Sequence, residues 1–340
     1  MTTSVLDAPA LPSWYDDLCS CLQMTVGCVL ERHGWDPVQA LGSGWRYAAP
    51  NTPVEPVEYY HPAGDRLGES FCLHHPVRLA WHHPHPDDAR TQLSTSLRRG
   101  LTPIVAVNNF HLPFRPAYHD VHAAHLILVT AVDEARDEVL VHDPMPPAYR
   151  GPLPREVLDR ARESLPVEDD SDPFFAGSRP ARRWLEVDVH GPQPDPSQQW
   201  VASVMRDNLA ALDAPHGGPS ALASALRRIT GGGPDTDQHG ASIALRDVYV
   251  LGWPAQAEAG LHASFLAAAA RTLRRPDLAE TARSVAAVAH AWTGLRLAAA
   301  HAARTAEGGP ARAVALGQQL VRRWQDCLAG YRRVAEEDER

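Results

Sequence analysis

The 340-residue chain contains no lysine, so each of its 32 basic side chains other than histidine is an arginine. Mechanisms that run through a lysine Schiff base, a phosphate-loop lysine or a lysine general base are thereby excluded. No window approaches the ~18 apolar residues of a membrane span, and Met1 to Pro12 lacks the basic start and continuous apolar stretch of a secretory signal. A cytoplasmic protein without membrane contact is therefore expected. Cysteine is scarce: Cys19, Cys21, Cys28, Cys72 and Cys327 are odd in number and irregular in spacing, which does not make a disulfide framework and leaves thiols available for chemistry. A formal charge of −9 opposes general nucleic-acid binding, which draws its affinity from neutralised phosphates.

At 44% hydrophobic residues the chain is long enough for two cores. Between Leu18 and His33 the apolar residues Leu22, Val26, Val29 and Leu30 recur at helical spacing, with Gly34 placed as a C-terminal cap. Cys19 and Cys21 both fall in the first turn of that expected helix, where the dipole and unpaired amides favour a thiolate. The region from Pro50 to Pro86 is rich in proline and histidine and reads as irregular and surface-lying, with short strands that the sequence does not place, and Asp87 to Arg99 reads as a short helix ended by Gly100. Pro103 to Val107, Leu126 to Val132 and Val139 to Val141 are β-branched runs, the last two spaced as a hairpin. Beyond the proline-rich stretch from Pro192 to Pro196 the composition shifts to alanine, leucine and arginine. The runs Ala255–Arg274, Pro276–Ala303 and Pro310–Glu337 carry helical periodicity there. The expected fold class is α+β: a papain-like cysteine-enzyme domain over residues 1–190, with a helix and an antiparallel sheet, followed by an α-helical domain over 191–340.

A thiol nucleophile needs a base, and the base needs an orienting group. His125 begins one strand, and the strand after the hairpin ends in His142-Asp143-Pro144, so antiparallel pairing is expected to bring His125 and Asp143 together. In that arrangement Asp143 holds the imidazole through Nδ1 and leaves Nε2 for the thiol. Cys21 is the favoured nucleophile, Cys19 the alternative, and Cys28 a core residue. The run His119, Asp120, His122, His125 and the patch His82-His83-Pro84-His85 offer metal-ligand types, but ligands at that spacing diverge along a strand, so neither a metal nor a cofactor is expected.

The cysteine helix ending at His33-Gly34-Trp35-Asp36, then Leu41-Gly42-Ser43-Gly44-Trp45, then Asn108-Asn109-Phe110-His111-Leu112-Pro113-Phe114 and His125-Leu126-Ile127-Leu128-Val129, together resemble the butirosin biosynthesis protein H family. More distantly the pattern is similar to the papain-like double-glycine leader peptidases. The resemblance covers about the first half of the chain. It implies an acyltransferase that takes an aminoacyl group from a carrier-protein thioester to an amine in natural-product assembly. Cys21 would then be acylated, His125 would act as base and then acid, and Asp143 would orient it. The implied partners are an acyl or peptidyl carrier protein and a small-molecule acceptor, and a homodimer is left open. The arginine clusters from Arg150 to Arg183 are the expected landing site for an acidic carrier. The competing readings are a thioesterase, cyclase or peptidase with the same three residues, and a non-catalytic partner protein on the same scaffold.

Overall fold

The computed structural model describes residues 11–48, 71–163, 180–231, 238–304 and 309–337. They fall into two compact units: residues 1–37 with 76–192, and residues 38–75 with 193–340. The segment from Val38 to His75, although early in the chain, is thus grouped with the C-terminal residues.

The first unit is an α+β layer structure. Helix α1, Cys21–Arg32, opens on a reciprocal cap in which Ser20 accepts from the Gln23 amide and Gln23 accepts from the Ser20 amide. It closes where Gly34, at φ +78°, takes the left-handed turn that the sequence pattern assigns to it. A six-stranded sheet, wholly antiparallel, has the order β1-β6-β2-β3-β4-β5. Its strands are β1 Val77–His82, β2 Ile104–Asn108, β3 Ala124–Asp133, β4 Glu138–Asp143, β5 Tyr149–Pro154 and β6 Trp184–Val189. Both strands of the expected hairpin form, and each is longer than its β-branched run because the polar ends still complete the ladder. One short strand of the region through Pro86, which the sequence does not place, is β1, and it pairs along its whole length with β6. Residues 49–70 of that region lie outside the described residues.

Two further helices, which we call α3, Ala89–Arg98, and α4, Arg155–Glu163, cover the sheet. Leu93, Leu158 and Ala161 pack with Val105, Val107, Ile127, Val129, Val139 and Val141 in one apolar cluster. These strand residues alternate along each strand, as a sheet buried on that side demands.

The second unit is helical. It holds most of the short helix α2 (Pro37–Leu41), then α5 (Gln198–Leu212), α6 (Gly218–Ile229), α7 (Gln238–Leu273), α8 (Pro276–Arg304) and α9 (Gly309–Glu337). Helix α7 begins well before the expected Ala255, because Pro254 is accommodated inside it rather than starting a new element. The segment Leu41-Gly42-Ser43-Gly44-Trp45 packs into this unit. The Asn208 side chain accepts from the Trp45 amide at 3.0 Å and donates to Ser43 O at 2.9 Å, and His262 Nδ1 donates to Gly42 O at 2.7 Å. Trp45 stacks on His262 and on Trp324, and His262 Nε2 accepts from the Tyr331 hydroxyl at 2.9 Å.

Candidate active site

The β3–β4 register sets Leu128 opposite His142. One step further along, Asp143 faces Ile127, and His125 is the diagonal neighbour on the same side of the sheet, within reach of a long side chain. His125 Nε2 lies 2.8 Å from Asp143 Oδ2, and Asp143 is fully buried while His125 is 3% exposed. The expected atom assignment is therefore corrected: Nε2, not Nδ1, meets the carboxylate. The physical reason is position. A histidine reaching diagonally to the next strand extends its far nitrogen to the carboxylate rather than its near one.

Asp143 is not held by His125 alone. Arg115 Nη1 donates to the same Oδ2 at 3.2 Å and to Met145 O at 3.0 Å, and the Met145 amide donates to Oδ1 at 3.0 Å. A buried carboxylate without such partners would be strongly unfavourable, so Arg115 and the turn after β4 supply the hydrogen bonds that hold Asp143 in place. Sequence reading missed Arg115, although it directly follows the Asn108 to Phe114 motif. A lone arginine between Phe114 and Pro116 carries no spacing signal for a carboxylate 28 residues away. Adjacent His142 points to the opposite face of the sheet by strand alternation, and burial lowers its pKa.

The three cysteines of the N-terminal region separate clearly. Cys21 is the first residue of α1 and is buried. Cys19 lies before the helix rather than in its first turn, because Ser20 takes the cap position. Its thiol is pushed well up by burial and then by the charge and hydrogen bond of Asp16, the reverse of what activates a nucleophile. Burial likewise raises Cys28 to about 11, which fits its expected place in the core.

Helix α1 packs along β3. At its C-terminal end Arg32 bonds the hydroxyl of Thr102, just before β2. Twelve helical residues span about 18 Å and five strand residues about 17 Å. Asp143 also acts electrostatically at Cys28, so the end of β4 is near the same helix.

The candidate residues Cys21, Arg115, His125 and Asp143 all fall between Ser20 and Pro144 in the sequence. Residues 20–144 match the family described as butirosin biosynthesis protein H, N-terminal. This stretch belongs to that family. The butirosin-H match opens on the cap of the cysteine helix and stops one residue after Asp143, so Cys21, His125, Arg115 and Asp143 are inside it and Cys19 is outside. No curated protein matches the chain.

Other candidate residues have different places. His122 Nδ1 lies 2.8 Å from Asn108 Nδ2, and its ring stacks on Phe110 at 4.0 Å. His119 stacks on Tyr118, and His125 is bound to Asp143, so the histidine run diverges. Among the described residues no group of three or more histidine, cysteine or carboxylate side chains is arranged to hold a metal. The expected basic surface is extensively paired with the chain's own acids. Arg155 binds Glu134 and Asp137, Arg182 binds Glu163, and Arg162 is buried. Arg179 lies outside the described residues. Arg150, exposed on β5 directly opposite His142, is the member of the cluster whose charge is felt at Cys28. Among the described residues no helix is long and apolar enough to cross a membrane.

Proposed function

We propose that this protein is a cysteine acyltransferase of natural-product biosynthesis, moving an acyl or aminoacyl group from a carrier-protein thioester to an amine acceptor. The observation that carries the reading is the buried His125–Asp143 contact at 2.8 Å, enclosed in a family match that begins at the cap of the Cys21 helix. In the proposed cycle Nδ1 of His125 removes the Cys21 thiol proton. The thiolate attacks the thioester carbonyl carbon, and the carbonyl π pair moves to oxygen. Collapse restores the C=O bond and expels the carrier thiolate, which takes the proton from His125. The acceptor amine then attacks the Cys21 acyl thioester by the same steps, giving an amide and regenerating the thiol. Asp143 stabilises the imidazolium formed in each half, and Arg115 holds that carboxylate in position.

Thioester donors suit this chemistry because one thioester replaces another, so acylation is nearly isoenergetic. The family name ties relatives to butirosin biosynthesis, which favours a biosynthetic transferase over a degradative enzyme. Because much of the expected basic patch is internally paired, Arg150 is the proposed contact for an acidic carrier.

Intact-mass measurement after incubation with an acyl thioester tests the reading. One acyl adduct per chain, absent from Cys21→Ala and discharged faster by amines than by water, is expected. No adduct on the wild-type chain would leave a non-catalytic partner protein as the better account, and discharge by water alone would make it a hydrolase.

A further inference from the structure

Gln23 stands on the first turn of α1, two residues past Cys21, and is 2% exposed. Its Oε1 accepts from the Ser20 amide at 3.0 Å and from the Ser20 hydroxyl at 3.3 Å. Two donors on one oxygen determine which way the amide faces: turning it over would set Nε2 against the Ser20 N–H. The Nε2 group is therefore directed away from the cap, and it is buried with no hydrogen-bond partner among the described residues. An unsatisfied buried amide donor is destabilising, so the fold keeps it at a cost. The cap alone does not require it, because the capping geometry uses only the oxygen, and glutamate serves that position equally well.

We infer that Gln23 Nε2 is an oxyanion donor for acyl transfer at Cys21, acting with the backbone amides at the start of α1. The inference rests on the acyl-transfer reading above and deepens it. When the Cys21 thiolate adds to the acyl carbonyl, the π pair becomes an oxyanion beside the helix start, where the dipole and a preoriented N–H favour negative charge. The reciprocal cap with Ser20 locks the side chain, so no reorganisation is needed when charge develops. The sequence places no glutamine ahead of either cysteine in the manner of papain-like proteases, and this residue supplies the donor from the other side of the nucleophile.

The test compares two reactions of the same sulfur in the full-length protein. S-phenyl thioacetate acylates Cys21 through a tetrahedral oxyanion, whereas iodoacetamide alkylates it by displacement with no oxyanion. Gln23→Glu retains the cap acceptor and removes the donor, and Gln23→Met removes both without adding charge. Any change in thiol pKa slows both reactions alike and cancels in the ratio of acylation to alkylation. That ratio is expected to fall roughly 100- to 1000-fold in both variants, the range found for deleting one oxyanion donor. A ratio within about threefold of wild type in the Glu variant, which keeps the helix capped, overturns the inference and leaves Gln23 a capping residue. A wild-type Cys21 that alkylates but forms no acetyl adduct overturns the acyl-transfer reading itself, an outcome distinct from the first.

Discussion

Arg115 and His125 both reach the same carboxylate oxygen, Asp143 Oδ2, from 3.2 and 2.8 Å, so the group that orients the histidine is itself oriented by a cation. A full positive charge beside a fully buried aspartate keeps it an acceptor for the imidazole N–H. Removing the aspartate charge should therefore affect chemistry more than architecture. Asp143→Asn is expected to lower acyl transfer by about 10³- to 10⁴-fold, as for the orienting carboxylate of other triads. Single-turnover acylation measured across pH checks it, and a loss below tenfold would remove Asp143 from the catalytic group.

Arg115→Leu should act first on stability. The substitution leaves the buried Asp143 with the His125 ring and one backbone amide, an incompletely compensated charge. About 3 kcal/mol of unfolding free energy is expected to be lost, the usual scale for breaking a buried pair from one side. Urea denaturation at neutral pH measures it. Arg115→Lys, which keeps the charge but not the rigid, planar group whose Nη1 donates to both Asp143 and Met145 O, should recover only part.

Thiol reactivity should sort by position in α1. Iodoacetamide at neutral pH is expected to label Cys21 in preference to Cys19 and Cys28, since burial raises both of the latter and Asp16 adds to the effect at Cys19. Peptide mapping decides the matter: dominant labelling at Cys19 would transfer the nucleophile role to it. Cys19→Ser should retain acyl transfer.

The helical unit should respond to acid through His262. Burial holds this ring, bonded to Gly42 O and the Tyr331 hydroxyl, at about 4 instead of its ordinary 6.5. Between those values the unfolded chain binds a proton that the folded chain does not, so stability is full above pH 6.5 and falls as pH drops toward 4. His75, lowered by burial to about 3, works in the same direction. Urea midpoints at pH 7.5 and 5 should differ more in the wild type than in His262→Gln. Equal differences would show that this histidine does not carry the acid sensitivity.

The helix carrying Cys21 and the hairpin carrying His125 and Asp143 were legible because their signals are local: apolar spacing with a glycine stop, and two β-branched runs with a polar turn between them. Strand β6 was not, since its pairing with β1 and β2 is non-local and its sequence, Trp184 to Val189, alternates weakly. The early grouping of Leu41–Trp45 with the helical residues was hidden for the same reason. Its anchors, Asn208 and His262, lie 163 and 220 residues away from their partners Trp45 and Gly42.

By itself the sequence determined which reactions were open: with no lysine, and with thiols, histidines and carboxylates on identifiable elements, nucleophilic cysteine chemistry was the best-supported class. Residue type and local spacing suffice for that, because they act through propensity and protonation chemistry within a few positions. Only the tertiary structure decided that Nε2 rather than Nδ1 meets Asp143, that Arg115 shares that carboxylate, and that Gln23 holds an unpaired amide beside the helix start. Those outcomes depend on the direction of side chains across strands and turns, which register and burial set and no short stretch of sequence encodes.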